Sequence, residues 1–369
     1  MDRELIELRR DIHLHPELSG EERRTAGLVA RRLRAAGLDV TTGVGGYGVV
    51  GVLKGALPGR TVAYRADMDA TTGSAGQTAH LCGHDLHTTV GVGVAQVLAR
   101  LRHRLRGTVV FVFQPAEESL AGAAAMIEAG VLDTGLAEIH ALHCGPFPVG
   151  QFAVMPGFGL AGLDRATITV VGPQALARAQ RLATEIGALG TVSRPASRED
   201  YERLVADLQI PDGPLAEFVF IGAQAAGADE RAEVRVSYRC WPEDRYTAIR
   251  ADIQRLATSI AGTTAVFAGD PFPAMVCPER EGMALKRYLQ RTIGRDRVLR
   301  LHASIPFNGE DFALFLNRVP GTFTFLGVRA PGAGIETSSP HLDSFTPDER
   351  AIGHGVRAMA GWLATRART

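Results

Sequence analysis

Three kinds of side chain able to bind a metal ion fall within the stretch His80-Leu81-Cys82-Gly83-His84-Asp85-Leu86-His87. Packed cores do not call for such a density of polar groups, because each costs free energy to bury without a partner. Cys82 and His84 stand two residues apart, so a loop or extended backbone can bring both to one site. His80 and His87 flank them, and Asp85 could orient a ring nitrogen. Similar chemistry recurs at the ends of three apolar runs. Asp67 and Asp69 follow TVAYR (61–65), Glu117 and Glu118 follow GTVVFVF (107–113), and His143 closes the run that starts at Glu138. Two carboxylates two residues apart project to one side of an extended chain, although a loop Asp can equally cap the next element. Adjacent glutamates after a buried strand need partners, and one acting as ligand with the other as proton carrier would supply them. His13-Leu14-His15-Pro16 reads as a structured turn rather than a ligand pair.

The elements that must position these groups follow from periodicity. Residues 1–10, 21–36 and 88–105 have helical apolar spacing, and 47–53, 61–65 and 107–113 read as strands, the last as a buried parallel one. Polar groups gathered after strands are expected of an α/β sheet, whose sites lie at the strands' carboxyl ends. From about Leu163 the texture changes. Strands are predicted at 166–171, 217–221, 232–239 and 264–267, with helices at 174–189 and 246–261. This α+β unit contains no histidine, so the flanking segments must carry the chemistry. The first texture returns with a helix at 282–293, Gly309-Glu310-Asp311-Phe312, a strand at 321–327, the loop around His341 and a closing helix at 348–365. The predicted organisation is a catalytic α/β domain, mainly parallel and flanked by helices (1–162 and 269–369), interrupted by a smaller α+β domain (163–268).

Composition excludes several classes. Forty basic and forty acidic residues give zero net charge over 369 residues, where nucleic-acid binding normally needs clustered Lys and Arg. No apolar run approaches the roughly 20 residues of a membrane span, and the charged N-terminus lacks the apolar core of a signal peptide. Cys82, Cys144, Cys240 and Cys277 lie too far apart to suggest a disulfide framework. A cytoplasmic protein with reduced thiols is expected, with no nucleic-acid or membrane partner.

Collected, the strand ends and loops supply Cys82, His84, Glu117, Glu118, His143 and His341, with Asp67 and Asp69 close by. One catalytic zinc takes three protein ligands and keeps an open position, so the set is too large for one ion. Two ions about 3.5–4 Å apart would use it, lowering the pKa of bound water to about 7 and polarising a carbonyl. A nearby carboxylate would move the proton from water to a leaving amine. The reaction class is hydrolysis of an amide.

These residues resemble the aminoacylase/carboxypeptidase family of co-catalytic metallopeptidases, which includes hippurate hydrolase and the auxin-conjugate amidohydrolases. The likeness runs nearly end to end through HLHPELS (13–19), RADMDA (65–70), HLCGHDLH (80–87), QPAEE (114–118), Leu142-His143, GEDF (309–312) and Pro320-Gly321. It implies that Cys82, His84, Glu118, His143 and His341 hold two divalent ions, with the Cys82 thiolate as bridge. Glu117 is then the general base and acid, and Asp69 orients His84. His80, His87, Glu310 and Asp311 frame the site. Zinc suits the thiolate, while manganese, cobalt or nickel suit the imidazole and oxygen donors. The resemblance also implies a small amide or peptide-like substrate, and a lid-type smaller domain that commonly forms a homodimer.

The chain departs from the family pattern at several places. The family's Gly-His-Ala-Ala-x-Pro-His loop is replaced by Val171-Gly172-Pro173-Gln174-Ala175-Leu176, its lid asparagine aligns with Ala226, and Arg239 keeps the lid arginine position. Thr71-Thr72-Gly73 replaces the Leu-Pro after RADMDA, and Leu342-Asp343 follows His341 where Ser-Pro is usual. Losing one oxyanion donor typically costs about 100 to 1000-fold in turnover. The expected function is therefore amide hydrolysis with altered substrate scope. Two alternatives keep the same site: amide formation or cyclisation on a specialised substrate, and a non-catalytic metal-binding scaffold.

Overall fold

The computed structural model describes residues 2–368. Its larger sheet has eight strands in the order Asp39–Val44, Gly48–Lys54, Arg106–Gln114, Leu57–Asp67, Glu138–Pro148, Gly321–Arg329, Phe152–Val154 and Val298–Arg300. The four central strands, Arg106–Gln114 to Gly321–Arg329, run parallel. Strand Arg106–Gln114 shows why its sequence is apolar without a break. Val109, Phe111 and Phe113 join the core on one face, and Val110 and Val112 join the core on the other.

Helices cover both faces. Asp2–His13, Arg23–Ala35, His84–Arg100 and Arg350–Arg366 contribute to the first core, and Gly122–Glu128 and Phe312–Leu316 to the second. Helix His84–Arg100 begins four residues earlier than the pattern predicts and ends earlier too, with a short 3-10 turn at Arg102–Arg104. The early start depends on Gly83, which is left-handed at φ 89°. A Cβ there would stand 2.8 Å from Cys144 Sγ, so both backbone and packing require glycine.

Parallel register sets the height of the site. Gln114 lies level with Asp67, and Ala141 level with Arg65. Two residues on, His143 reaches the level of Asp67. It lies inside strand Glu138–Pro148, not at its end as the sequence suggests.

The smaller domain is a four-stranded antiparallel sheet, ordered Phe218–Ala228, Arg231–Trp241, Asp164–Val171 and Val266–Phe267. Helices Ala175–Gly187 and Arg245–Leu256 pack with it around a separate core that includes Ile168, Val170, Leu182, Val234 and Ile253. Strand Asp164–Val171 alternates as a one-sided sheet should, with Ala166, Ile168 and Val170 buried and Arg165, Thr167 and Val171 exposed. The sequence pattern predicts no element between 190 and 216, yet Arg198–Asp207 is a helix. Its capping box pairs Ser197 with Asp200, a signal readable in Ser197-Arg198-Glu199-Asp200. Among the described residues no helix is long and apolar enough to cross a membrane. All four cysteines are free and buried.

Candidate metal centre

Two groups of donor atoms meet at one sulfur. Atoms of Cys82, His84 and His143 lie within 4.8 Å of one another, and so do atoms of Cys82, Glu118 and His341. The fold thus brings together the five side chains expected to bind metal, from two strand ends, a helix start, a strand interior and a distant loop.

Hydrogen bonds fix which atoms face the centre. His84 Nδ1 lies 3.1 Å from Asp69 Oδ1, while His84 Nε2 is buried without a hydrogen-bond partner. His143 Nδ1 donates to the Cys144 carbonyl at 2.7 Å, leaving Nε2 3.3 Å from Cys82 Sγ. In each ring the occupied Nδ1 selects the tautomer that presents an Nε2 lone pair. Glu118 Oε1 is likewise buried without a hydrogen-bond partner. Two orphaned acceptors around a buried thiol suit a cation, because lone pairs facing each other in a dry site are otherwise costly.

Electrostatics point the same way. Burial disfavours charge on His84, yet Asp67, Asp69 and Glu118 outweigh it and raise its pKa to about 10. Burial raises the Cys82 thiol well above its ordinary value, and Glu118, Glu117 and Asp67 raise it further. Glu118 is pushed up to about 7, first by burial and then by Asp69 and Asp67, against the opposing pull of His84. This cluster is short of positive charge, and a divalent ion reverses each of these trends. The residues present therefore fit the metals that the sequence implies.

Glu117 is also buried. Burial first, then repulsion from Glu310, Glu118 and Asp311, raises its pKa well above the carboxylate range. Its Oε2 lies 3.8 Å from His84 Nε2. Glu310 and Asp311 are held by Arg65, itself 1 % exposed. Arg65 Nη2 reaches Glu310 Oε1 at 2.9 Å and Asp311 Oδ1 at 3.1 Å, Nη1 reaches Asp67 Oδ2 at 2.6 Å, and Nε reaches Gln114 Oε1 at 2.8 Å. Asp67 Oδ1 in turn accepts from His87 Nδ1 at 2.6 Å. His87 Nε2 accepts the Cys144 N–H at 2.8 Å, which anchors the backbone beside His143.

His341 is left-handed at φ 68°, an uncommon conformation for a non-glycine residue. Its N–H donates to the Leu81 carbonyl at 2.8 Å, and its Nε2 lies 3.8 Å from Glu118 Oε1. Two departures from the family pattern meet just beyond it. Asp343 accepts from the backbone and hydroxyl of Ser74, beside the short hairpin that Thr71–Thr72 makes with Thr78–Ala79.

Other sequence candidates fall outside the donor groups. Asp85 orients His13 rather than a centre histidine, at 2.8 Å, and also pairs with Arg9. His80 is buried with neither ring nitrogen hydrogen-bonded, and His15 bonds the Asp11 carbonyl. Sequence reasoning missed Ser19, whose hydroxyl donates to Asp69 Oδ2 at 2.7 Å. It also missed Glu22, which is buried and accepts from Gly20 N and Ala116 N at 2.8 Å each, tying the first loop to the glutamate loop. Ser19 stands in the HLHPELS stretch, whose hydroxyl was the available signal.

A cavity of about 430 Å³ opens onto Cys82, Glu117, Glu118, His143 and His341, and Arg239 of the smaller domain lines it as well. Arg239 Nη1 donates to the carbonyls of Ala161 and Gly162 at 2.9 Å each. Gly309 leaves room for it, since a Cβ there would stand 2.7 Å from that nitrogen. Gly172, Gln174 and Ala226 do not line the cavity.

Comparison with known proteins agrees with the fold and with the class of enzyme. Residues 63–365 match peptidase family M20/M25/M40. N-acetylcysteine deacetylase of Bacillus subtilis (strain 168) is 32% identical over 364 residues, covering 94% of this chain and 93% of the relative. Thermostable carboxypeptidase 1 of Saccharolobus solfataricus is 31% identical over 394 residues, covering 96% and 93%. A solved Bacillus subtilis structure, described as a dinuclear metal binding peptidase from the M20 family, superposes with a TM-score of 0.75. It is 29% identical and covers 99% of this chain and 98% of that one. The chain belongs to peptidase family M20/M25/M40, and so to the metal-dependent hydrolases that act on amide bonds.

Proposed function

We propose that this protein removes the acyl group from N-acyl amino acids, or cleaves small peptide-like amides, at a dinuclear metal centre. The observation that carries this reading is the pair of donor groups sharing Cys82 Sγ, with the buried Glu117 carboxylate beside them. Cys82, His84 and His143 would hold one ion and Cys82, Glu118 and His341 the other, with zinc favoured by the thiolate and manganese, cobalt or nickel also accommodated. Bound there, the metals supply Lewis acidity, which acidifies water and polarises a carbonyl.

The chain's own residues do the rest. Glu117 accepts a proton from the attacking water and returns it to the leaving nitrogen, as its place in a dry, carboxylate-rich pocket suits. Asp69 holds His84 in the tautomer that presents Nε2, and Ser19 and the Glu118 N–H hold Asp69. Relatives named as a deacetylase and a carboxypeptidase support the substrate class.

The test is metal content per chain in protein purified without added metal, with amine release from a panel of N-acyl amino acids and dipeptides. Two equivalents, with turnover that disappears in Glu117→Ala, are expected. Undiminished turnover in that variant would overturn the mechanism.

A further inference from the structure

Residues 191–215 join a helix and a strand of the smaller domain in sequence; Thr191 still bonds to Val219 of that domain, but the helix and the turn after it pack elsewhere. Leu208 and Leu215 are buried in the second core of the larger domain, with Val192, Leu204 and Val205 against it. The His302 N–H donates to the Leu208 carbonyl at 2.7 Å, tying the segment down. The Ser197–Asp200 capping box fixes where its helix begins. From that start, Tyr201, Leu204, Val205 and Leu208 fall at helical spacing on one face, and all four line the cavity that holds Cys82 and Glu117.

The same segment brings a cation. The Arg194 guanidinium lies 5.5 Å from the ring centre of Phe220 and 5.8 Å from that of Phe307, one from each domain. Its Nη2 donates to the Phe307 carbonyl at 3.3 Å. Arg165 and Arg239 line the cavity too, and among the described residues none of the three guanidinium groups has a carboxylate partner. Arg165 and Arg194 are exposed and Arg239 is half-buried, so a ligand entering the cavity can reach them. Guanidinium groups without a carboxylate partner, beside the apolar wall that Leu204, Val205 and Leu208 give the cavity, are suited to an anion from outside the chain.

We propose that residues 191–215 are the specificity element of the site. The apolar face of their helix receives the apolar arm of the substrate, and Arg194 pairs its anionic group. Preferred substrates are then amides that carry both a carboxylate and a long aliphatic or aromatic acyl chain. This rests on the amide-hydrolase reading above.

The test uses metal-loaded full-length protein with N-acetyl-alanine, N-octanoyl-alanine and the primary amides of both, measuring kcat and KM separately. Octanoyl should exceed acetyl by about 10-fold or more in kcat/KM, the scale on which apolar pockets discriminate. Leu204→Ala should shrink that ratio. Arg194→Met should raise KM for the acids by about 10-fold or more while moving kcat and the primary amides far less, with Arg194→Lys recovering part of the loss. Equal effects of Arg194→Met on acid and amide, or no chain-length preference, would overturn the proposal. Calorimetric titration of N-octanoyl-alanine separates the two claims. Binding that depends on Arg194 without any hydrolysis leaves the specificity element standing and removes the hydrolase reading. Hydrolysis without either preference does the reverse, and absence of both hydrolysis and binding removes both.

Discussion

The two domains treat charge in opposite ways. At the carboxyl ends of the larger sheet, Arg65, Asp67, Asp69, Asp85, Glu310 and Asp311 are all buried, each held by named partners. In the smaller domain the sheet's outward residues are exposed, and the buried Asp164 and Tyr238 are met by the half-buried Arg250. Buried charge tolerates little change because removing one partner strands the other, whereas an exposed face can be rewritten at little cost. The departures from the family pattern fall where side chains are not buried charges: at Gln174 and Ala226 in the smaller domain, and at Thr72 and Asp343 in surface loops of the larger one.

The largest expected effect tests the centre itself. Glu117→Gln should lower kcat by about 100 to 10,000-fold, the usual contribution of general acid–base catalysis, while metal content stays the same. Retained turnover would move the proton carrier elsewhere. Next comes the contrast in burial. Arg65→Met should cost about 3–5 kcal/mol in urea unfolding, because it strands Asp67, Glu310 and Asp311. Arg235→Met, which removes an exposed pair with Glu233, should stay within about 0.5 kcal/mol. Similar losses in both would erase the distinction.

Asp69→Asn should weaken metal binding by about 10 to 100-fold, as loss of a ligand's orienting carboxylate does, read by competition with a chelator. A pH effect follows from Glu138 at the far end of strand Glu138–Pro148. Burial opposes its charge, but His140 and Arg366 outweigh burial and hold its pKa at about 2, below the ordinary 4.5. A depressed carboxylate stabilises the fold above its unfolded pKa and loses that contribution as pH falls through the folded value. The protein should therefore lose on the order of 2 kcal/mol between pH 4.5 and 2 from this group. Glu138→Gln should flatten that part of the stability–pH curve. The smallest effect is expected where the family pattern has been lost: Ala226→Asn should leave kcat/KM unchanged, because Ala226 does not line the cavity. A gain in turnover would mean that the site is completed from another copy of the chain.

Much of the site was legible because its chemistry is written in residue type. Cys82, His84, Glu117, Glu118 and His143 follow strands or open a helix, and apolar runs of the right period predict those elements. Asp85 was legible as an orienting carboxylate, but not the ring it orients, because His13 arrives from a different helix. The helix at Arg198–Asp207 went unread although its capping box is local, since its apolar face packs on the larger domain's second core and not on the core of the smaller domain.

The sequence by itself determined the donor types and the alternation of strands and helices. Period and spacing act over a few residues, so they survive without knowledge of the rest of the chain. The tertiary structure alone decided that His143 stands level with Asp67 inside its strand and that a left-handed His341 swings back to Glu118. It also decided that the helix Arg198–Asp207 packs on the larger domain's core and walls the cavity. Each of these depends on register or on burial against residues distant in the chain, and the free energy of such contacts belongs to no local stretch.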